Sequence, residues 1–175
     1  MRRRLSLLIA FMLAGWVFGV LDSRIPTPSA STAFWAGNLG SPWLVLPFLA
    51  GWVQRSRRWA FAAGTVTCTA GMVGFFGPGG AWGPASLGFV APWLLVGALA
   101  GLVYGRFGHT WGRSRTLLDG LALALPFILE PLAWRLALGP AQGTVPYWYL
   151  ETAVGMVLLV CVVVVSRRRR RPRTV

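Results

Sequence analysis

The sequence predicts an all-α fold, a polytopic membrane bundle of six helices, and three observations carry that expectation. The chain of 175 residues is 55% apolar and only 12% charged, where a soluble domain carries about 25% charged residues, and its mean hydropathy is +0.61. Its apolar residues fall into six runs, each near the roughly 20 residues that cross a bilayer core of about 30 Å. Its 17 basic residues are all arginines, and all but Arg24 and Arg135 lie in four clusters at alternate gaps between those runs.

The first run covers residues 5–21 and follows Arg2, Arg3 and Arg4. A cleaved signal peptide has a shorter apolar core, with small residues just beyond it. Here the small-residue stretch 29–33 lies well past the run, so the segment reads as a retained helix. Residues 22–34 follow as the longest polar connection, where Pro26, Pro28, Ser29, Ser31 and Thr32 favour loop. The second span is placed at 35–53 and ends at Arg55, Arg57 and Arg58. The third covers 59–76 and stops at Gly77-Pro78-Gly79-Gly80, which cannot continue a helix cheaply. The fourth covers 85–104, before a loop holding Arg106, Arg113 and Arg115. The fifth covers 116–138, and the turn Gly139-Pro140-Ala141-Gln142-Gly143 leads to the sixth at 148–165. The tail, 166–175, is polybasic. The whole chain is expected to form one integral membrane domain.

Arginine marks the cytoplasmic ends of membrane helices. Both termini are therefore expected inside, in the plasma membrane of a bacterium. The lack of lysine with abundant Ala, Gly, Pro and Trp suggests a GC-rich genome. Trp35, Trp82, Trp134 and Trp148 fall at expected outer ends, and Trp52, Trp59 and Trp111 at inner ones, as interface belts require. Trp16, Trp43 and Trp93 lie deeper and are expected to pack between helices.

Two spans share a pattern. Pro42-Trp43-Leu44 with Leu49-Ala50-Gly51 and Val53 recurs as Pro92-Trp93-Leu94 with Leu99-Ala100-Gly101 and Val103. Duplicated helical hairpins would produce this, and so would chance among the few residue types that membrane helices use. Gly97, Gly101 and Gly105 form a seam of small residues on the fourth span, and Gly15 with Gly19 a shorter one on the first. Such seams let helix backbones approach closely, either inside one bundle or between the members of a homo- or hetero-oligomer.

Only four acids are present, Asp22, Asp119, Glu130 and Glu151, and ionisable groups inside membrane spans are functional candidates by default. Asp119 sits in the first turn of the fifth span, where a carboxylate complements the helix dipole, and reads as structural. Glu130, Arg135 and Glu151 form the candidate polar site. Counting inward from the ends of the hairpin places Arg135 level with Glu151, and these two are expected to pair. Glu130 lies about 7.5 Å deeper than Arg135 at helical rise and has no charged partner on its own helix. Pro126 and Pro131 flank it and free backbone carbonyls nearby, a combination that suits a proton- or cation-handling site and equally a structural hydrogen bond between helices.

Other chemistries are excluded by what the chain lacks. Cys68, Cys161 and the single His109 have no metal-ligand spacing. Without lysine there is no Walker-type phosphate loop, and no nucleophile elbow or zincin motif occurs. No cofactor and no enzymatic activity are expected. Arg167, Arg168, Arg169, Arg170, Arg171 and Arg173 anchor the last span and suit anionic lipid; because the basic residues border apolar spans, nucleic acid is not an expected partner.

The stretch 38–43, Gly74-Phe75-Phe76, Pro92-Trp93-Leu94 with the Gly97, Gly101 and Gly105 seam, and the intramembrane Glu130 together resemble a set of small actinobacterial multi-pass membrane proteins that share a domain of unknown function. The resemblance implies location and topology only. Two function classes remain: a small solute-transport or solute-binding membrane component, similar in size and span number to substrate-binding subunits of vitamin uptake transporters, or a non-catalytic membrane partner that assembles another complex.

Overall fold

The computed structural model of the chain describes residues 2–24, 40–78, 84–138 and 145–170. Among these residues all regular structure is helical. The α-helices are α1 (Arg2–Asp22), α2 (Val45–Trp52), α3 (Arg57–Phe76), α4 (Pro84–Ser114), α5 (Leu117–Leu138) and α6 (Val145–Arg170), and a 3-10 turn at Ser41–Leu44 precedes α2. Five of the six, all but α2, are long and apolar enough to cross a membrane. The expected loop containing Pro26 and Pro28, the Gly139–Gly143 turn, Trp35, Trp82 and the end of the basic tail lie outside the described residues.

Two expected elements differ from what forms. The second span is described from Gly40 onward, and there it is a 3-10 turn followed by an α-helix of only 8 residues. Pro42 and Pro47 lack the N–H groups that a longer regular helix would need. Conversely, α4 does not stop at Tyr104 but runs for 31 residues to Ser114, about 46 Å at helical rise and longer than a bilayer core. Arg106 and Arg113, expected in a loop, are on this helix, and Arg113, in its last turn, complements the helix dipole. The break comes at Arg115, which takes the left-handed conformation with φ 53°.

The chain divides into two compact units. The first comprises 1–25 and 43–112 and holds α1 to α3 with nearly all of α4; the second comprises 26–42 and 113–175 and holds α5 and α6. In the first unit, α3 is the central helix and its contacts are made by glycine. A Cβ on Gly15 or Gly19 of α1 would run into the carbonyls of Thr67 and Gly71, and one on Gly74 into the carbonyl of Trp16. On the other side of α3, Gly101 and Gly105 of α4 meet Gly64 and Ala60. Further along α4, Gly108 and Gly112 meet Phe48 and Trp52 of α2. Between helices in lipid, such contacts gain dispersion energy that bulkier residues would prevent.

Trp43 closes the other end of this unit. It is buried, its ring meets Phe18 and Phe75 edge-on at 5.2 and 5.7 Å, and its indole N–H donates to Asp22 Oδ2 at 3.2 Å. Trp16, by contrast, is 47% exposed, because Gly15 rather than its neighbour turns toward α3. The two Pro-Trp-Leu copies therefore adopt different structures: the first forms the 3-10 turn, the second lies within α4 and is half-buried at Trp93.

Candidate functional site

The second unit holds the site. Its two helices form an antiparallel hairpin whose register is fixed at two levels. Ser166 donates its hydroxyl to the Arg115 carbonyl at 3.1 Å, and Gly155 packs against Phe127, where a Cβ would come within 3.1 Å of the Phe127 carbonyl carbon. One turn beyond that crossing, three residues forward on α5 and four back on α6, stand Glu130 and Glu151. The hairpin thus makes the two acids level with each other.

This register corrects the expected pairing. Arg135 and Glu151 do not form an ion pair: both Glu151 carboxyl oxygens are buried without a hydrogen-bond partner, and Arg135 is exposed. The expectation matched the hairpin from its ends, taking α6 to begin at Trp148, whereas the helix begins at Val145. Interior packing at Gly155 sets the register instead. Arg135 lines a cavity of about 320 Å³ with Pro131, Leu132, Trp148, Tyr149 and Thr152. Trp148 is buried there rather than placed in an interface belt, and its indole N–H has no acceptor among the described residues.

Glu130, which lacks a partner on its own helix, finds three donors ninety residues away in sequence. The backbone N–H of Gly40 donates to Oε1 at 2.6 Å and that of Ser41 to Oε2 at 2.7 Å, and the Ser41 hydroxyl also donates to Oε2. Consecutive backbone N–H groups converging on one anion form a nest, and this one opens the 3-10 turn, where helical N–H groups are unsatisfied. Pro42 follows with no N–H to satisfy. Hydrogen bonds to a charged acceptor contribute about 1.5–3 kcal/mol each, so Glu130 is held rigidly.

Glu151 is the opposite case. It is 4% exposed, it lies against the Glu130 carboxyl and Ser41, and neither of its oxygens has a hydrogen-bond partner of normal geometry among the described residues. A native interior rarely leaves buried polar atoms unsatisfied. Sequence reasoning picked out both acids but missed Ser41, whose only signal was its place in the short Gly-Ser-Pro stretch before an apolar run.

The remaining acids are structural. Asp119 Oδ2 accepts from the Thr116 hydroxyl and from Ser114 Oγ at 3.4 Å, and its N–H faces Thr116 Oγ1 at 3.4 Å, a reciprocal cap on the first turn of α5. Asp22 is satisfied by Trp43. Gly97 touches Met72, and Gly101 and Gly105 pack inside the first unit as described. Of the basic tail, Arg167 is exposed at the end of α6; no group of His, Cys, Asp or Glu among the described residues could hold a metal ion.

No curated protein and no solved structure is similar to the chain. A helical chain with several membrane-compatible spans is matched by one family model, which extends over residues 1–175: the chain belongs to the family of unknown function DUF6518.

Proposed function

We propose that this chain is a six-pass protein of the bacterial plasma membrane, of actinobacterial type, with both termini in the cytoplasm, and that it binds or transports a small cationic solute at Glu130 and Glu151. Five crossings are the long helices. The stretch 35–53 supplies the sixth, because the arginines before α1 and those before α3 sit on the same side only if a crossing lies between them.

One observation carries the functional reading: Glu151, buried, faces a second carboxyl, and neither of its oxygens has a hydrogen-bond partner of normal geometry among the described residues. A bare buried carboxylate costs several kcal/mol of desolvation, and a second acid beside it adds repulsion. A cation entering between the two offsets both. Glu130, fixed by Ser41 and Gly40, is the rigid half of such a site, and Glu151 is the half left open to a ligand. A cavity with Trp148 and Tyr149 in its wall, lined also by Pro131 and Thr152 next in sequence to the two acids, gives an amine-bearing solute an apolar and aromatic approach. The reading is non-enzymatic.

The test is thermal unfolding of the purified chain in detergent against sodium, potassium, ammonium and small organic amines at constant ionic strength. At least one cation is expected to raise the midpoint for the wild type and to leave Glu151→Gln unmoved. A wild type indifferent to every cation, or an equal rise in E151Q, contradicts the proposal.

A second reading, a non-catalytic partner for another membrane protein, is favoured by one surface. An open apolar groove between α1 and α3 exposes Met12, Leu13 and Trp16, with the unpartnered Thr69 hydroxyl in its wall. Stoichiometric co-purification of a membrane protein that Trp16→Ala releases supports it.

A further inference from the structure

A second polar cavity lies in the first unit, and no carboxylate lines it. Its volume is about 170 Å³, and its walls are Arg3, Arg4 and Leu7 of α1 with Val53, Gln54 and Arg55, which follow α2. A single water needs only about 10–15 Å³ of such space, so the cavity admits a polyatomic group. Three of its six lining residues are arginines.

The local fold builds this site around Gln54. Helix α2 ends as Val53 N–H donates to the Leu49 carbonyl and Gln54 N–H to that of Gly51. The Gln54 carbonyl then accepts from His109 Nδ1 of α4 at 3.0 Å, so that the imidazole carries its proton on Nδ1. Pinned at both its backbone groups, Gln54 is 3% exposed, and its side-chain amide nitrogen is buried with no acceptor among the described residues. An unsatisfied buried donor is costly to leave in place, and this one belongs to a residue in the wall of a cavity that Arg3, Arg4 and Arg55 also line.

We infer that the cavity formed by Arg3, Arg4, Gln54 and Arg55 is a binding site for a phosphate group. Guanidinium groups match phosphate oxygens in bidentate geometry, and three arginines with no carboxylate in the wall give the cavity a net positive lining. The site is distinct from the polybasic tail in residues, and it does not depend on the carboxyl pair of the second unit. The phosphate can come from an anionic phospholipid headgroup or from a free anion, and the arms of the test separate these sources.

The full chain is reconstituted in phosphatidylcholine nanodiscs, and its thermal midpoint is followed on titration with inorganic phosphate; in parallel, nanodiscs containing phosphatidylglycerol are compared with phosphatidylcholine alone. A saturable rise with inorganic phosphate assigns a free anion, and a rise with phosphatidylglycerol only assigns a lipid headgroup. In either arm Gln54→Glu, isosteric but negative, is expected to abolish the rise. Arg4→Gln, an exposed position that leaves packing intact, is expected to weaken binding about fivefold. A variant with Arg168, Arg169 and Arg170 changed to Gln is expected to keep the full effect. The inference is overturned if neither probe shifts the midpoint, if Q54E and R4Q respond like the wild type, or if the tail variant alone removes the response.

Discussion

Glu130 and Glu151 are the same residue type on facing helices, and their surroundings give them opposite characters. Glu130 accepts three hydrogen bonds from Gly40 and Ser41, and Glu151 accepts none from the described residues. Removal of a donor from the first should therefore be felt as lost stability. Ser41→Ala is expected to lower unfolding free energy by about 1.5–3 kcal/mol, measured by denaturant titration in detergent. Replacement of the second should act in the other direction. A buried group with no partner can be exchanged for an apolar one of similar size with little cost or a gain, so Glu151→Met is expected to be as stable as the wild type or more so. Stability gained while cation response is lost is the signature of a functional residue. A loss of more than about 2 kcal/mol in E151M would instead mark Glu151 as structural. The sequence pointed to both acids because charge is rare in membrane spans, but their division of roles depends on Ser41, which no local pattern ties to Glu130.

At the scale of elements, composition located five of the six helices to within a few residues at most ends, because apolar run length is what the bilayer selects. It failed where the backbone decides. Two prolines turned the second span into a 3-10 turn and an 8-residue helix; the absence of any breaker after Pro92 let α4 run on through two arginines. Register was likewise hidden. Counting from helix ends paired Arg135 with Glu151, whereas the close approach at Gly155 pairs Glu130 with Glu151. The glycine contacts make a sharp contrast testable. A Cβ at Gly101 meets the Gly64 backbone and Cys68, so Gly101→Val is expected to destabilise the chain by about 1–3 kcal/mol or more. Gly88 on the same helix has open space, and Gly88→Ala is expected to be neutral or to stabilise by up to about 1 kcal/mol. Equal effects at the two positions would contradict the packing described. At the start of α5, Thr116→Ala removes the cap shared with Asp119 and should cost about 1 kcal/mol, read from the same unfolding curves.

For the whole molecule, the arginine pattern remains the argument for orientation. Single cysteines placed near Arg3, in the Gly77–Gly80 turn and after Arg173, on a background without Cys68 and Cys161, report it. A membrane-impermeant thiol reagent added to intact cells is expected to label only the Gly77–Gly80 position; labelling at either terminus contradicts the proposed topology. In that orientation the acid pair, on which the proposed cation binding rests, lies in the half of the last hairpin nearer the outer surface. Infrared difference spectra of the purified chain, with and without the cation that stabilises it most, read the carboxyl groups directly. The account predicts a change in the carboxyl stretching bands on cation addition that is lost in Glu151→Gln. Identical spectra with and without every cation tested, or a change that persists in E151Q, would contradict it.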